Sequence, residues 1–159
     1  MSVCFLLLGT NMGDKVTNLR LASDHISSQI GPVITSSSVY TTSAWGKEDQ
    51  DDFLNQVLKV YTDKTPAQLL QCCLSIERDL GRVRFEKWGQ RLIDIDVLYY
   101  DDLILDDEDL KIPHPEIQNR RFTLVPLVEI AADWVHPEIG KSQRELLDVC
   151  GDSLEVKVC

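Results

Sequence analysis

Arg91-Leu92-Ile93-Asp94-Ile95-Asp96-Val97-Leu98-Tyr99-Tyr100 decides how this chain folds. Its β-branched and aromatic content predicts a strand. Residues two apart in a strand share a face, so Asp94 and Asp96 project together, with Cβ atoms roughly 6–7 Å apart. Ile93, Ile95 and Val97 project the other way, into a core, while Leu92, Leu98 and Tyr100 share the aspartate face. Two carboxylates on such a face are costly unless protonated, paired or bound to a cation. Immediately upstream, residues 81–91 carry Arg82, Arg84, Lys87 and Arg91 against the single acid Glu86, with a glycine at 81 and another at 89. A carboxylate pair beside arginines suits phosphate chemistry on a divalent metal. An acid-apolar-acid triplet is a weak motif by itself, and a solvated sheet face is its plain alternative.

The flanking pattern gives that strand its place. Residues 3–8 are a continuous apolar run, as expected of a central strand, ended by Gly9-Thr10-Asn11. Val16, Leu19, Ala22, Ile26 and Ile30 follow at helical spacing, and Gly31-Pro32 stops them. Residues 33–40 read as a second strand, residues 41–52 as a polar loop holding Trp45-Gly46, and residues 53–61 as a third strand. Thr65-Pro66-Ala67-Gln68 is a capping box with proline at the first helical position. The helix it starts carries Leu69, Leu70, Cys73, Leu74 and Leu80, with Gly81 as its stop. After the aspartate strand, Asp101-Asp102 turns into a short strand at 103–105, and helical segments follow near 116–120, 123–131 and 142–149. The acidic run Asp106-Asp107-Glu108-Asp109 reads as a solvated turn. Strand, helix, strand, strand, helix, strand is the ferredoxin-like βαββαβ order of an α+β fold. The expected sheet is mainly antiparallel with both helices on one face, a helical C-terminal extension, and the opposite face free to carry a site.

Composition narrows the class. At 159 residues and 43% hydrophobic content, a single domain spanning 1–159 is expected. A net charge of −10 argues against duplex nucleic acid or an anionic membrane as partner. The five cysteines show no C-x-x-C spacing and read as buried or incidental thiols of a reducing compartment. The apolar run at 3–8 is too short for a membrane span and lacks a basic leader, so a cytoplasmic location is expected.

Further candidates stand beside the acidic pair. Phe53 and Asn55 share a strand face: an aromatic ring can stack on a flat heterocycle, and an amide offers both donor and acceptor to its edge. The alternative is a core phenylalanine and an asparagine at a strand irregularity. Trp88 is placed either to pack over a nucleotide or to anchor its loop. Glu77 lies in the apolar stripe of its helix, as a substrate contact or paired with Arg78, Arg82 or Arg84. His114, between two prolines, is a phosphate donor or a rigid turn residue, whereas His25 and His136 read as structural. No Ser–His–Asp order, zinc-ligand spacing or P-loop stands out.

These motifs, in this order, resemble the hydroxymethyl-dihydropterin pyrophosphokinases of folate synthesis. The resemblance rests on Gly81-Arg82-Val83-Arg84, Trp88-Gly89 and Arg91 to Asp96. Asp52-Phe53-Leu54-Asn55, Ile112-Pro113-His114-Pro115 and Asn119-Arg120-Arg121-Phe122 join them, and the match runs from Leu8-Gly9-Thr10-Asn11 to about Val135. It implies an ATP-dependent enzyme that moves pyrophosphate from MgATP to the hydroxymethyl group of 6-hydroxymethyl-7,8-dihydropterin and releases AMP. Asp94 and Asp96 match magnesium-binding aspartates that hold two ions with the nucleotide. Arg82 and Arg91 match arginines that steady the transferred group, and Arg84, Lys87 and Trp88 fall in the stretch that closes over the substrates. Asn55 matches the pterin-reading amide, Phe53 and Phe122 the aromatic pair around the ring. Thr42, Ser43, Ala44 and Trp45 match the bordering backbone. Glu77, His114 and Arg120 match nucleotide-side residues. Phe53 stands where many members have tyrosine, Ser43-Ala44 where Pro-Pro is common, and the basic loop is one residue shorter than in some members.

The implied partners are ATP and the reduced pterin, bound by a monomer. The rivals are a nucleotidyltransferase, which attacks the α-phosphorus and releases pyrophosphate, and a ferredoxin-like ligand-sensing module. Thr10 and Asp94 lie far apart in sequence, against the first; a sensing module needs neither metal carboxylates nor the Arg82/Arg91 pair.

Overall fold

The computed structural model describes residues 1–42, 52–81 and 92–159. Eight strands and four α-helices are formed among them: β1 (Ser2–Thr10), α1 (Lys15–Gln29), β2 (Val33–Ser36), β3 (Tyr40–Thr42), β4 (Phe53–Thr62), α2 (Pro66–Gly81), β5 (Asp94–Tyr100), β6 (Leu105–Asp106), β7 (Lys111–Ile112), α3 (Arg121–Ala131), α4 (Gln143–Asp148) and β8 (Lys157–Val158). The main sheet runs β5-β1-β4-β3-β8, with β2 also paired to β4. Each of its pairings is antiparallel.

The apolar run of β1 is explained by its central place. Cys4, Leu6 and Leu8 face one core cluster, and Phe5 and Leu7 face a second on the other side. The first cluster holds Leu19, Ala22 and Ile26 of α1 and Leu69, Cys73 and Ile76 of α2. Asp14 caps α1 by accepting the Thr17 N–H at 3.3 Å. The capping box of α2 is reciprocal: Gln68 N–H donates to Thr65 Oγ1 at 3.2 Å, and Thr65 N–H to Gln68 Oε1 at 2.9 Å. Two stripe positions differ from expectation. Val16, in the first turn of α1, is exposed, and in α2 the buried stripe is Leu69, Cys73 and Ile76, which turns Leu74 outward.

The second cluster packs α3 and α4 on Phe5, Val57, Leu98 and Tyr99. This face is therefore partly covered rather than wholly open, and at the end holding Gly9, Asn55 and the aspartates the first turn of α3 borders a cavity instead of covering the sheet. Trp134 meets Phe5 edge-on with centroids 4.9 Å apart, and Gln143 Nε2 donates to the Tyr99 hydroxyl at 2.8 Å.

Three strand expectations are corrected. The segment 33–40 is two strands, because residues 37–39 oppose only two residues of β4. Ser37 covers the break, its hydroxyl accepting the Val57 N–H at 2.9 Å. A bulge in β5 sets Leu6 opposite Val97 but Phe5 opposite Tyr99. The extra residue, Leu98, puts Leu98 and Tyr99 both in the second cluster and returns Tyr100 to the first, away from the aspartate face. The strand expected at 103–105 is instead the two-residue β6, paired to β7 around an acidic turn that stays exposed.

Candidate active site

Antiparallel register sets the site. Gly9 of β1 lies opposite Asn55 of β4 on one side and Asp94 of β5 on the other. One residue pair along the same face, Leu7 lies between Val57 and Asp96. The acidic pair and the amide are thus separated by one strand, roughly 10 Å across two strand spacings. The residue between them has no side chain. A Cβ on Gly9 would meet Asn55 Nδ2 at 2.9 Å, a distance Cβ atoms do not adopt. Glycine keeps this trough open.

Above the trough lies a cavity of about 260 Å³. Leu7, Gly9 and Asn55 form its floor, Asp94 and Asp96 one side, and Phe53, Thr42 and Phe122 the aromatic side. Arg120 and Leu154 complete it. An apolar cavity of about 150 Å³ admits one benzene ring, so a two-ring heterocycle is of a matching size. Asn55 is only 6% exposed, and its Nδ2 donates to Leu8 O at 3.3 Å, which orients the amide. The Arg120 guanidinium sits 5.5 Å from the Phe122 ring centroid, a cation–π contact. Asp94 and Asp96 are half-buried.

A family model for the 7,8-dihydro-6-hydroxymethylpterin-pyrophosphokinases (HPPK) matches residues 5–132, which include every residue of this cavity except Leu154. The chain belongs to the HPPK family. It is 47% identical over 148 residues to the 2-amino-4-hydroxy-6-hydroxymethyldihydropteridine pyrophosphokinase of Methylorubrum extorquens, covering 92% of each chain. To the protein of that name from Haemophilus influenzae it is 40% identical over 138 residues, 86% of each. Its fold is similar to wild-type Plasmodium falciparum HPPK-DHPS, with a TM-score of 0.70 at 16% identity over 93% of this chain. The chain spans 43% of that solved chain.

Two residues expected on the nucleotide side, Glu77 and His114, stand outside the cavity lining. Glu77 accepts the Ile95 N–H at 2.7 Å, a partner that its helical position alone does not indicate. His114 Nδ1 accepts the Glu116 N–H at 3.1 Å, and the His114 backbone N–H donates to Leu98 O at 2.9 Å, tying the residue to β5. Burial holds its imidazole below the ordinary value of 6.5; Arg120 adds to this, and Asp96 and Glu116 oppose it. Ser43, Ala44, Trp45, Arg82, Arg84, Lys87, Trp88 and Arg91 lie outside the described residues.

The remaining groups are structural. His25 Nδ1 meets Gln29 Nε2 at 3.0 Å, and His136 Nδ1 accepts the N–H groups of Glu138 and Ile139. All five thiols are free. Burial pushes the Cys4 thiol up to about 12 and raises Cys73 as well, so neither is a nucleophile. The sequence reading missed Gly9 as the floor and Leu154 as a wall. The only available signal for Gly9 was a glycine ending an apolar strand, and Leu154 gave none.

Proposed function

We propose that residues 1–159 act as one pyrophosphokinase domain with a ferredoxin-like core and a helical C-terminal extension. It transfers pyrophosphate from ATP to the hydroxymethyl group of 6-hydroxymethyl-7,8-dihydropterin and releases AMP, a step of folate synthesis. The observation that carries this reading is the row Asp94–Gly9–Asn55, which sets a carboxylate pair and a ring-sized pocket on one sheet face.

The pterin ring lies between Phe53 and Phe122, and Asn55 reads its edge with donor and acceptor together. Such anchoring holds the substrate hydroxyl in near-attack geometry. Its oxygen bonds to the β-phosphorus as the bond to the α-side bridging oxygen breaks. AMP leaves with that electron pair, and the hydroxyl proton goes to solvent. Arg82, Arg91 and Arg120, with His114, serve the nucleotide side by hydrogen bonding and charge.

Asp94 and Asp96 fit magnesium: both are hard oxygen donors on one half-buried face. No third His, Cys, Asp or Glu completes a metal cluster among the described residues. Magnesium is commonly held by one or two carboxylates plus substrate phosphates. Two ions, bound with ATP, would neutralise the triphosphate and polarise the transferred group. The working form is a monomer in the cytoplasm, with no nucleic-acid or membrane partner; free thiols suit a reducing compartment. No described helix is long and apolar enough to cross a membrane.

Folding brings Gly9 opposite Asp94, so sequence distance no longer disfavours nucleotidyl transfer. The Thr10 hydroxyl, however, is buried and bonded to Asn18 and to Met12 O. Product analysis with ATP, magnesium and the reduced pterin tests the assignment. AMP formed only with pterin present is the expected result. Free pyrophosphate would show nucleotidyl transfer, and no turnover would leave a binding module.

A further inference from the structure

The C-terminal segment folds back onto the site from outside the stretch matched to the family. That match ends at residue 132, yet Leu154 lines the cavity. The segment is tied down on both sides of Leu154. Upstream, Asp152 Oδ2 accepts the Arg121 N–H at 3.0 Å and Oδ1 accepts the Leu154 N–H at 2.9 Å. Arg121 Nε donates to Leu154 O at 3.1 Å. Downstream, β8 pairs with β3, setting Val158 opposite Tyr40 and Lys157 opposite Thr41, and Cys159 N–H donates to Val39 O at 2.8 Å.

Both anchors lie next to the ring pocket. The residue at the start of α3, Arg120, makes no side-chain cap, and Asp152 supplies one from the tail. Arg120 and Phe122 flank the capped residue, while β3 ends at Thr42. Between these anchors, residues 152, 154 and 156 are half-buried while 151, 153 and 155 are exposed, so the strand-like alternation turns Leu154 inward.

We propose that Leu154 is a specificity-determining residue of the pterin pocket, delivered by the C-terminal segment through the Asp152–Arg121 anchor and the β8–β3 pairing. The inference rests on the pterin reading above. A branched aliphatic wall offers contact without hydrogen bonding, so it selects by volume, and a methylene-sized mismatch is worth roughly ten-fold in discrimination.

The test uses Leu154→Ala and Leu154→Met in the full chain. It compares binding of 6-hydroxymethyl-7,8-dihydropterin, binding of a non-hydrolysable MgATP analogue, steady-state turnover, and a series of dihydropterins with larger ring substituents. Leu154→Ala is expected to raise the pterin Kd and KM about five-fold. Saturated kcat and nucleotide Kd stay within about two-fold, and the penalty against larger substituents shrinks. Leu154→Met restores the original values. Unchanged pterin affinity and unchanged substituent ranking in Leu154→Ala would overturn the proposal, as would an equal loss of pterin and nucleotide binding. If the unsubstituted chain binds no pterin, it is the pyrophosphokinase reading itself that has failed.

Discussion

The Glu77 carboxylate accepts the backbone N–H of Ile95 at 2.7 Å, on the residue that separates Asp94 from Asp96. Strand β5 lies at the sheet edge, where an outward amide needs a partner. Helix α2 supplies it, and so sets the height of the acidic pair. Glu77→Ala is expected to lower stability by about 1–3 kcal/mol. Saturated turnover falls roughly ten-fold or more through misplacement of the carboxylates, with pterin Kd unchanged. Glu77→Gln, which keeps an acceptor, recovers most of the melting temperature. Stability loss without any change in kcat would reduce the bond to a purely structural role.

Asp94→Ala and Asp96→Ala separate the two halves of the site. Each is expected to cut magnesium-dependent turnover by about a thousand-fold, the several kcal/mol that a polarising cation supplies. Pterin binding, which the proposal assigns to Phe53, Asn55 and Phe122, should persist in both variants. A variant that loses pterin affinity but keeps saturated turnover would contradict the metal role.

Gly9→Ala probes the trough. The new methyl would lie 2.9 Å from Asn55 Nδ2 and displace the amide from its bond to Leu8 O. Overpacking of this kind costs about 1–3 kcal/mol. The expected readout is a pterin Kd raised about ten-fold, with nucleotide affinity unchanged, measured by titration of each ligand. Native pterin affinity in this variant would show that Asn55 does not touch the ring.

His136 makes stability pH-dependent far from the chemistry. Burial depresses its pKa below the ordinary 6.5, and nearby Glu138 only partly opposes this. The folded chain therefore takes up its proton less readily than the unfolded chain. Stability from this group is full above about pH 6.5 and declines as pH falls below it. Melting temperatures measured from neutral to acidic pH should show that decline, and His136→Asn should flatten it. A decline of equal steepness in the variant would assign the effect to other groups.

Much of the framework was legible because it is local. Period-2 alternation placed Asp94 and Asp96 on one face and Ile95 and Val97 on the other, as observed. The Thr65–Gln68 box marked the start of α2 to the residue. What failed was also local in cause. One extra residue, Leu98, reversed the face of Tyr100, and an insertion around Ser37 split one expected strand into two. Alternation carries no mark of a bulge, since the pattern before and after it is equally regular.

The sequence by itself determined the two core helices and the strands that flank them, the shared face of the acidic pair and membership of a family whose motifs it carries; the split at Ser37, the β6–β7 pair and the terminal strand β8 were not legible in it. Each of these depends on residues a few positions apart or on motif order. Only the tertiary structure decided that Gly9 is the gap between Asp94 and Asn55, that Glu77 holds Ile95, and that Leu154 walls the pocket. Those facts come from strand register and from segments brought together across most of the chain. Register is set by the summed burial of whole strands against two helical layers, which no short window of sequence contains.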